Sequence, residues 1–203
     1  HQQLDVQQPE LMLRRFEALE LDQLSVVCGC GGGEAVRAVL PAVLEHAARL
    51  VLDADALNTI ATAPPLQALL AARASRGQPT VLTPHPLEAA RLLGTSAAQV
   101  QADRLRAACT LAERFQCVAV LKGSGTVVAA PGAAPSINPT GNARLATAGT
   151  GDVLAGLIGA RLAAGHAALQ AACAAVYQHG QAADQWPAGR TLTAGALARS
   201  LCV

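Results

Sequence analysis

Short apolar runs alternate with longer helical patterns along the first two thirds of the chain. Three of the short runs are SVVCG, RLVLDA and TVLTPHP, which begin at residues 25, 49 and 80 and have the character of buried strands. Between them, EAVRAVLPAVLEHAA and PLQALLAARAS have the length of helices. Because strands that alternate with helices usually form parallel sheets, the pattern predicts an α/β fold.

The rest of the chain continues this pattern less regularly. Residues 96–115 have apolar side chains at helical spacing, and CVAVLKGSGTVVAAPG indicates two strands joined at residues 123–125. From Gly151 onwards the pattern is helical, with breaks predicted near Gly165, Gly180 and residues 187–189. We find no repeat and no linker, so we expect residues 1–203 to form a single domain.

Composition narrows the function classes. The net charge is +1, from 15 basic and 14 acidic residues, so no broad surface for nucleic acid is expected. The same low net charge predicts no membrane partner. Arg, Asp or Gly interrupts every long apolar stretch, so no transmembrane helix is predicted. The chain does not begin with Met and shows no signal peptide, and we expect that it lacks its true beginning. The six cysteines form no CxxC pair, which favours free thiols, a cytoplasmic protein and no metal site built on the cysteines.

Polar residues follow several of the predicted strands. Asp53 and Asp55 follow the second strand, Thr83 and His85 the third, and Lys122 the fourth. Ligands of open parallel sheets bind at the carboxyl ends of the strands, so these side chains are expected to meet in one crevice. Asp53 or Asp55 could bind magnesium or order water there, or one of them could simply cap the following helix.

Lys122 is the single lysine of the chain, and it opens the segment KGSGT. Its ammonium, together with Gly123, Ser124, Gly125 and Thr126, could wrap a nucleotide phosphate or ribose. The segment is not a Walker A loop, and an ordinary lysine at a strand end remains the alternative.

Two further segments allow both a structural and a functional interpretation. The glycine-rich turn 29–33 permits a close backbone approach to a ligand, or only tight packing, and it fails the GxGxxG pattern because residue 34 is Glu. His85 lies between two prolines at a strand-to-helix corner, where it could contact a ligand or satisfy local backbone groups.

The segment GTGD, residues 149–152, opens an apolar helix. Asp152 could stabilise the helix start as a cap. Alternatively, the two glycines let a ligand approach, the N–H groups bind phosphate and Asp152 handles a proton.

Five segments occur together in one order: VVCGCGGG, LVLDADALN, TVLTPHPLEAARLLG, VAVLKGSGTVV and NPTGNARLATAGTGDVLAGLIGA. Together they resemble the ADP-dependent NAD(P)H-hydrate dehydratases, from about Pro9 to the C-terminal helix. The resemblance implies the ribokinase-like fold, a three-layer sandwich with a mostly parallel central sheet flanked by helices. It also implies an enzyme that restores NADH and NADPH from their hydrates, NADHX and NADPHX, at the expense of ADP (ATP in eukaryotic relatives), giving AMP and phosphate.

The resemblance also assigns roles to residues. Lys122, Gly123, Ser124, Gly125, Thr126 and Gly151 would hold ADP or AMP. Gly31, His85 and Asp152 would contact the hydrated dinucleotide, with Asp152 as the catalytic base. Phosphoryl transfer needs neutralisation of phosphate charge, so Mg²⁺ is the expected cofactor.

The chain departs from the family pattern at three positions: Cys30 replaces a usual Pro, and Leu87 and Ala148 replace glycines. This chain is also expected to lack the segment that, in the family, normally precedes the sequence PELM, here residues 9–12. One alternative is a ribokinase-like kinase for a vitamin-precursor alcohol, which the same Gly-Asp helix start would serve. Another, suggested by the missing segment, is a nucleotide-binding remnant without turnover. Alanine-rich helices with few charges predict a homo-oligomer, with a tetramer as one option.

Overall fold

A computed structural model describes residue 8 and residues 11–201 of the chain. Pro9 and Glu10, where the family resemblance begins, and Cys202 lie outside the described residues. The described residues form six strands: β1 Ser25–Cys28, β2 Arg49–Leu52, β3 Thr80–Leu82, β4 Val118–Leu121, β5 Val127–Ala129 and β6 Ser136–Ile137. They also form nine α-helices: α1 Ala35–His46, α2 Ala54–Ala61, α3 Pro64–Ala72, α4 Pro86–Leu93, α5 Ala97–Ala102, α6 Arg104–Phe115, α7 Thr150–Ala163, α8 Ala168–Asp184 and α9 Ala194–Ser200.

The six strands make one sheet in which neighbours in space are also neighbours in sequence. Strands β1 to β4 are parallel to one another. Strands β5 and β6 are each antiparallel to the strand before them. Parallel neighbours need crossover connections, which α1 to α6 supply. The predicted α/β fold with a mostly parallel sheet is confirmed.

Helices cover both faces of the sheet, because successive strand side chains point to opposite sides. In β2, Leu50 and Leu52 pack into the larger apolar cluster, with side chains from α1 to α6. Val51, between them, packs into a second cluster with α7 and α8. Both faces are therefore buried in the middle of the sheet, which explains the continuous apolar runs of the central strands.

Helix α7 approaches the sheet closely. A Cβ atom added at Gly159 would lie 2.5 Å from Cγ2 of Val27 in β1, closer than such atoms pack. Glycine at this point lets the helix backbone pack directly on the sheet, and this contact helps to position α7 against β1.

The structure differs from the sequence expectations at three places. Residues 96–115 form two helices that divide at Asp103, whose carboxylate accepts a hydrogen bond from the Arg106 N–H and caps α6. The break predicted near Gly180 is wrong, because α8 continues through it. There the missing side chain makes room for Thr140, whose Oγ1 would lie 2.3 Å from an added Cβ. Strand β6 has only two residues, both exposed, and was not predicted.

None of the helices among the described residues is both long enough and apolar enough to span a bilayer.

Candidate active site

The carboxyl ends of β2 and β4 bring Asp53 and Lys122 together. Lys122 Nζ donates to Asp53 Oδ1 at 2.6 Å, and the Asp53 side chain is only 1% exposed while that of Lys122 is 20% exposed. Between them, at the end of β3, the buried Thr83 hydroxyl donates to the Leu52 carbonyl. The predicted meeting of these strand ends is therefore present as a buried ion pair, which we call the Lys122–Asp53 pair.

Helix α7 begins directly against this pair. Gly149 precedes the helix with a φ of 83°, a backbone conformation that favours glycine. A Cβ atom added at Gly151 would lie 3.5 Å from Lys122 Nζ and 4.0 Å from Asp53 Oδ2. The N-terminal end of α7, where the helix dipole is positive and the first N–H groups have no partner within the helix, therefore lies beside the pair.

Asp152 does not act as a side-chain cap of α7. Its carboxylate accepts no hydrogen bond from the first-turn N–H groups among the described residues, and the residue is exposed. Instead, its carboxylate oxygen lies within 4.8 Å of both Asp53 and the Cys30 sulfur. The structure thus shows no capping hydrogen bond from the Asp152 side chain, and it places the Asp152 carboxylate beside the Lys122–Asp53 pair.

Cys30 is a site residue that the sequence analysis did not select. Its Sγ lies 3.9 Å from Asp53 Oδ2. Burial raises the pKa of the Cys30 thiol to about 12, with further contributions from the negative charges of Asp53 and Asp152. At neutral pH the thiol is therefore protonated and serves as a weak donor to the carboxylates rather than as a nucleophile.

A cavity of about 440 Å³ opens next to the start of α7. One wall is the turn that follows β4, another is the segment 138–146, and the others come from α7 and α8. Its lining includes all six residues that the resemblance assigns to the nucleotide: Lys122, Gly123, Ser124, Gly125, Thr126 and Gly151. Asp152, Gly31 and His85 are not among the lining residues, so the structure separates the two predicted sets.

The glycine-rich turn 29–33 is fixed by its neighbours. Gly29 has a φ of 116°, and an added Cβ would lie 1.9 Å from the Asp53 carbonyl oxygen, so only glycine fits there. Asp55 Oδ2 accepts a hydrogen bond from the Gly33 N–H at 2.8 Å. Asp55 therefore stabilises the turn, whereas Asp53 stands at the N-cap position of α2 without a capping bond. Gly31 is exposed and has open space around it.

His85 is held by its own helix. Its Nδ1 accepts hydrogen bonds from the N–H groups of Leu87 and Glu88, and Glu88 Oε2 accepts from the His85 N–H at 2.8 Å. Its Nε2 lies 3.3 Å from Glu88 Oε1, and the side chain is 45% exposed. The structural interpretation is thus correct for Nδ1, while the exposed ring edge remains accessible to a ligand.

His179 of α8 also lines the cavity, and the sequence analysis did not select it. Its Nε2 donates to the carbonyl oxygen of Thr150 at 2.9 Å, so it supports the first residue of α7. Burial lowers the pKa of His179, and the hydrogen bond to Thr150 opposes part of that shift. A histidine on an alanine-rich helix gives no local signal for such a contact.

Comparison with known families matches residues 1–202 to the NAD(P)H-hydrate dehydratases. A curated relative, the ADP-dependent (S)-NAD(P)H-hydrate dehydratase of Neisseria meningitidis serogroup B, is 45% identical over 196 residues. The matched region covers 94% of this chain and 65% of that relative, so the chain spans just under two thirds of its length.

Solved structures agree with the fold. The ADP/ATP-dependent NAD(P)H-hydrate dehydratase from Bacillus subtilis, co-crystallised with ATP/Mg²⁺, is 36% identical with a TM-score of 0.71, over 85% of this chain and 60% of that one. A ribokinase-like superfamily protein from Enterococcus faecalis V583, 24% identical, has a TM-score of 0.66 over 86% of this chain and 60% of that one, which confirms the ribokinase-like fold. Because the family match runs along nearly the whole sequence, this chain belongs to the NAD(P)H-hydrate dehydratase family.

Proposed function

We propose that this protein converts NADHX and NADPHX back to NADH and NADPH, consuming ADP and releasing AMP and phosphate. The observation that carries the proposal is the contact of the α7 start with the Lys122–Asp53 pair, beside a cavity lined by residues 122–126. Membership of the family supports the choice of reaction.

The cavity is the proposed nucleotide site. Lys122, Gly123, Ser124, Gly125 and Thr126 would surround the nucleotide, and Gly151 would let its phosphates approach the first turn of α7. Free N–H groups and the helix dipole favour negative charge at that point.

The hydrated dinucleotide would bind on the other side of Asp152. Gly31 offers an exposed, uncrowded backbone, and the exposed edge of the His85 ring faces solvent. The Asp152 carboxylate lies within 4.8 Å of Asp53, so it is close enough to the Lys122–Asp53 pair to act on a hydroxyl group held there.

The proposed chemistry uses Asp152 as the base. Its carboxylate accepts the proton of the ring hydroxyl, whose oxygen forms a bond to the β-phosphorus of ADP as the bond to AMP breaks. The ring carbon-to-oxygen bond then breaks, phosphate leaves with the electron pair, and a neighbouring ring carbon gives up a proton to water as the double bond forms. Lys122 and the α7 N–H groups stabilise the negative charge that moves through these steps.

Magnesium fits the carboxylates at this site. Mg²⁺ prefers oxygen ligands and is commonly shared between one or two carboxylates and substrate phosphates. Asp152 and Oδ2 of Asp53 would hold it, whereas the protonated Cys30 thiol is unsuited to a hard cation. When bound, the ion would neutralise phosphate charge.

The decisive experiment mixes the protein with hydrated NADH, Mg²⁺ and ADP or ATP, and follows NADH absorbance, AMP and phosphate. We expect NADH to form in wild-type protein, and the Asp152→Asn variant to lose about 10²- to 10⁴-fold in turnover, the usual contribution of a general base. ADP binding measured without Mg²⁺ should persist in that variant, because Asn keeps the size of Asp, whereas binding in the presence of Mg²⁺ should weaken because one proposed ligand of the ion is lost.

Asp103→Asn is the matched control, since Asp103 is a helix-cap carboxylate outside the site and Asn caps equally well. Near-normal turnover in Asp152→Asn would contradict the base assignment. ADP binding without any product would favour the nucleotide-binding remnant, and a phosphorylated alcohol that accumulates would favour the kinase.

We further propose a cytoplasmic homo-oligomer. Five cysteines among the described residues are free thiols, which is typical of a reducing compartment. Several large apolar side chains are exposed, including Met12 at 77% and Ile137 at 58%, and a second subunit would cover such surface. A monomer in light scattering at micromolar concentration would contradict the oligomer, and secretion of a tagged full-length protein would contradict the compartment.

A further inference from the structure

Arg104, the first residue of α6, lies against the turn that forms one wall of the cavity. Its Nη2 donates to the carbonyl oxygens of Leu121 at 3.1 Å and Lys122 at 3.3 Å, and its Nη1 donates to that of Ser124. One guanidinium therefore holds three carbonyl groups of a four-residue stretch of backbone. Arg104 itself does not line the cavity.

The turn is shaped to receive this side chain. Gly123 has a φ of 143°, and an added Cβ would lie 2.9 Å from Arg104 Nη2. Its carbonyl accepts a hydrogen bond from the Thr126 hydroxyl at 3.0 Å, so the Thr126 side chain closes the turn from within. Together, Arg104 and Thr126 bind the four successive carbonyls of residues 121–124.

The binding of these carbonyls orients the N–H groups of the turn. In a trans peptide unit the C=O and the following N–H point in opposite directions. The carbonyls of Lys122 and Ser124 point to Arg104, so the N–H groups of Gly123 and Gly125 point away from it, towards the cavity side. Within the described part of the chain, neither of these two N–H groups donates to a protein acceptor.

Arg104 also brings a positive charge that no anion balances. No carboxylate of the described residues lies within 4.0 Å of its guanidinium, and its Nε is buried without a partner. Burial lowers the pKa of Arg104, yet an arginine stays charged at neutral pH. Lys122, by contrast, has Asp53 as its ion-pair partner.

We propose that Arg104 is a positioning residue for the nucleotide: it turns the Gly123 and Gly125 N–H groups towards the phosphates and adds an unbalanced positive charge behind them. This rests on the proposed function only in taking ADP as the ligand of the cavity. Arginine is suited to the task because its planar guanidinium presents several donors at fixed angles, whereas lysine offers a single compact ammonium.

The test compares ADP binding by calorimetry in wild-type protein, Arg104→Met, Arg104→Lys and the control Arg106→Met. Arg106 is exposed on the same helix, and its side chain donates to no group among the described residues. We expect Arg104→Met to weaken ADP binding, and to raise the KM for ADP, by about 10- to 100-fold, the usual effect of losing hydrogen bonds to a charged group. The kcat at saturating ADP and the affinity for NADH should change by less than about threefold, because Arg104 contacts neither the reacting phosphate nor the proposed dinucleotide side of the site. Arg104→Lys, which keeps the charge but not the donor geometry, should fall between the two.

Amide NMR adds a measurement whose expected result would not arise from a general destabilisation of the fold. AMP should shift the Gly123 and Gly125 amide signals in wild-type protein and in Arg106→Met, and should leave them unshifted in folded Arg104→Met. Wild-type ADP affinity in Arg104→Met, or an equal loss of NADH affinity, would overturn the proposal. If Arg104→Met does not fold, wild-type affinity in Arg104→Lys would overturn it instead. Because binding is the measurement, a wild-type protein that binds ADP without turnover would overturn only the proposed function, and the comparison of variants would still decide the role of Arg104.

Discussion

Replacement of Lys122 by Met leaves the Asp53 carboxylate 1% exposed and without its cation. Loss of one partner from a buried ion pair costs about 3–5 kcal/mol, because the remaining charge is neither hydrated nor paired. Lys122 keeps 20% of its side chain exposed, so water screens part of the interaction. We therefore expect a loss at the lower end, about 3 kcal/mol in the free energy of unfolding, or about 6–12 °C in Tm for a chain of this size.

The double variant Lys122→Met/Asp53→Asn separates the buried charge from the lost side chain. Since no unpaired charge remains in it, about 2 kcal/mol of the stability should return, and this difference measures the cost of leaving the Asp53 charge buried and unpaired. Arg15→Met is the matched control, because Arg15 pairs with Glu17 at 3.6 Å on the surface, where both side chains are mostly exposed. Its removal should cost less than about 1 kcal/mol.

The assay is urea unfolding followed by circular dichroism, with thermal melts of the four proteins in the same buffer. If Lys122→Met melts within about 2 °C of wild type, at most a third of the expected shift, the buried-charge reasoning is wrong. If the double variant is as unstable as the single one, the Asp53 charge is not the cause of the loss.

Two further outcomes follow from the geometry of single residues. Gly29→Ala should destabilise the protein by more than about 4 kcal/mol, or prevent folding, since its Cβ would meet the Asp53 carbonyl at 1.9 Å. The control Gly77→Ala, at a φ of 65° with open space around it, should cost only about 1–2 kcal/mol. Equal losses of stability in urea unfolding would refute the clash. Burial lowers the pKa of His179 below its ordinary value of 6.5 in the folded protein. As the pH falls, His179 is therefore protonated in the unfolded protein before it is protonated in the folded one, and wild-type stability should fall below about pH 6.5. His179→Gln, which can still donate to the Thr150 carbonyl, should lose less stability between pH 7.5 and 5.5, and parallel pH profiles would refute this.

The sequence predicts the sheet and its edge well because both depend on local patterns. Apolar runs locate β1 to β5, and the rule that parallel strands end at one edge brings Asp53 and Lys122 together without knowledge of the crossovers. Asp152 is a candidate site residue because it stands at the glycine-rich start of a predicted helix. Its proximity to Asp53 and Cys30, however, cannot be predicted from the sequence.

The residues that the sequence analysis missed act through tertiary contacts. Cys30 reaches Asp53 only because the turn 29–33 folds back over the end of β2, and nothing in its own neighbours specifies that direction. Arg104 is one of fourteen arginines in the sequence, and its position under a turn is set by how α6 packs. Gly180 was misjudged because a glycine that admits a neighbour and a glycine that ends a helix look alike in sequence.

The Lys122–Asp53 pair joins residues 69 positions apart, from strands that lie on either side of β3. It can form only after β2, β3 and β4 are in register and the connections between them are in place. Closing so long a segment costs chain entropy before any contact rewards it, so the pair belongs to a late stage of folding. A ligand held against the pair would therefore bind the completed sheet and no shorter folded fragment, and would raise the free energy of unfolding of the whole chain by mass action.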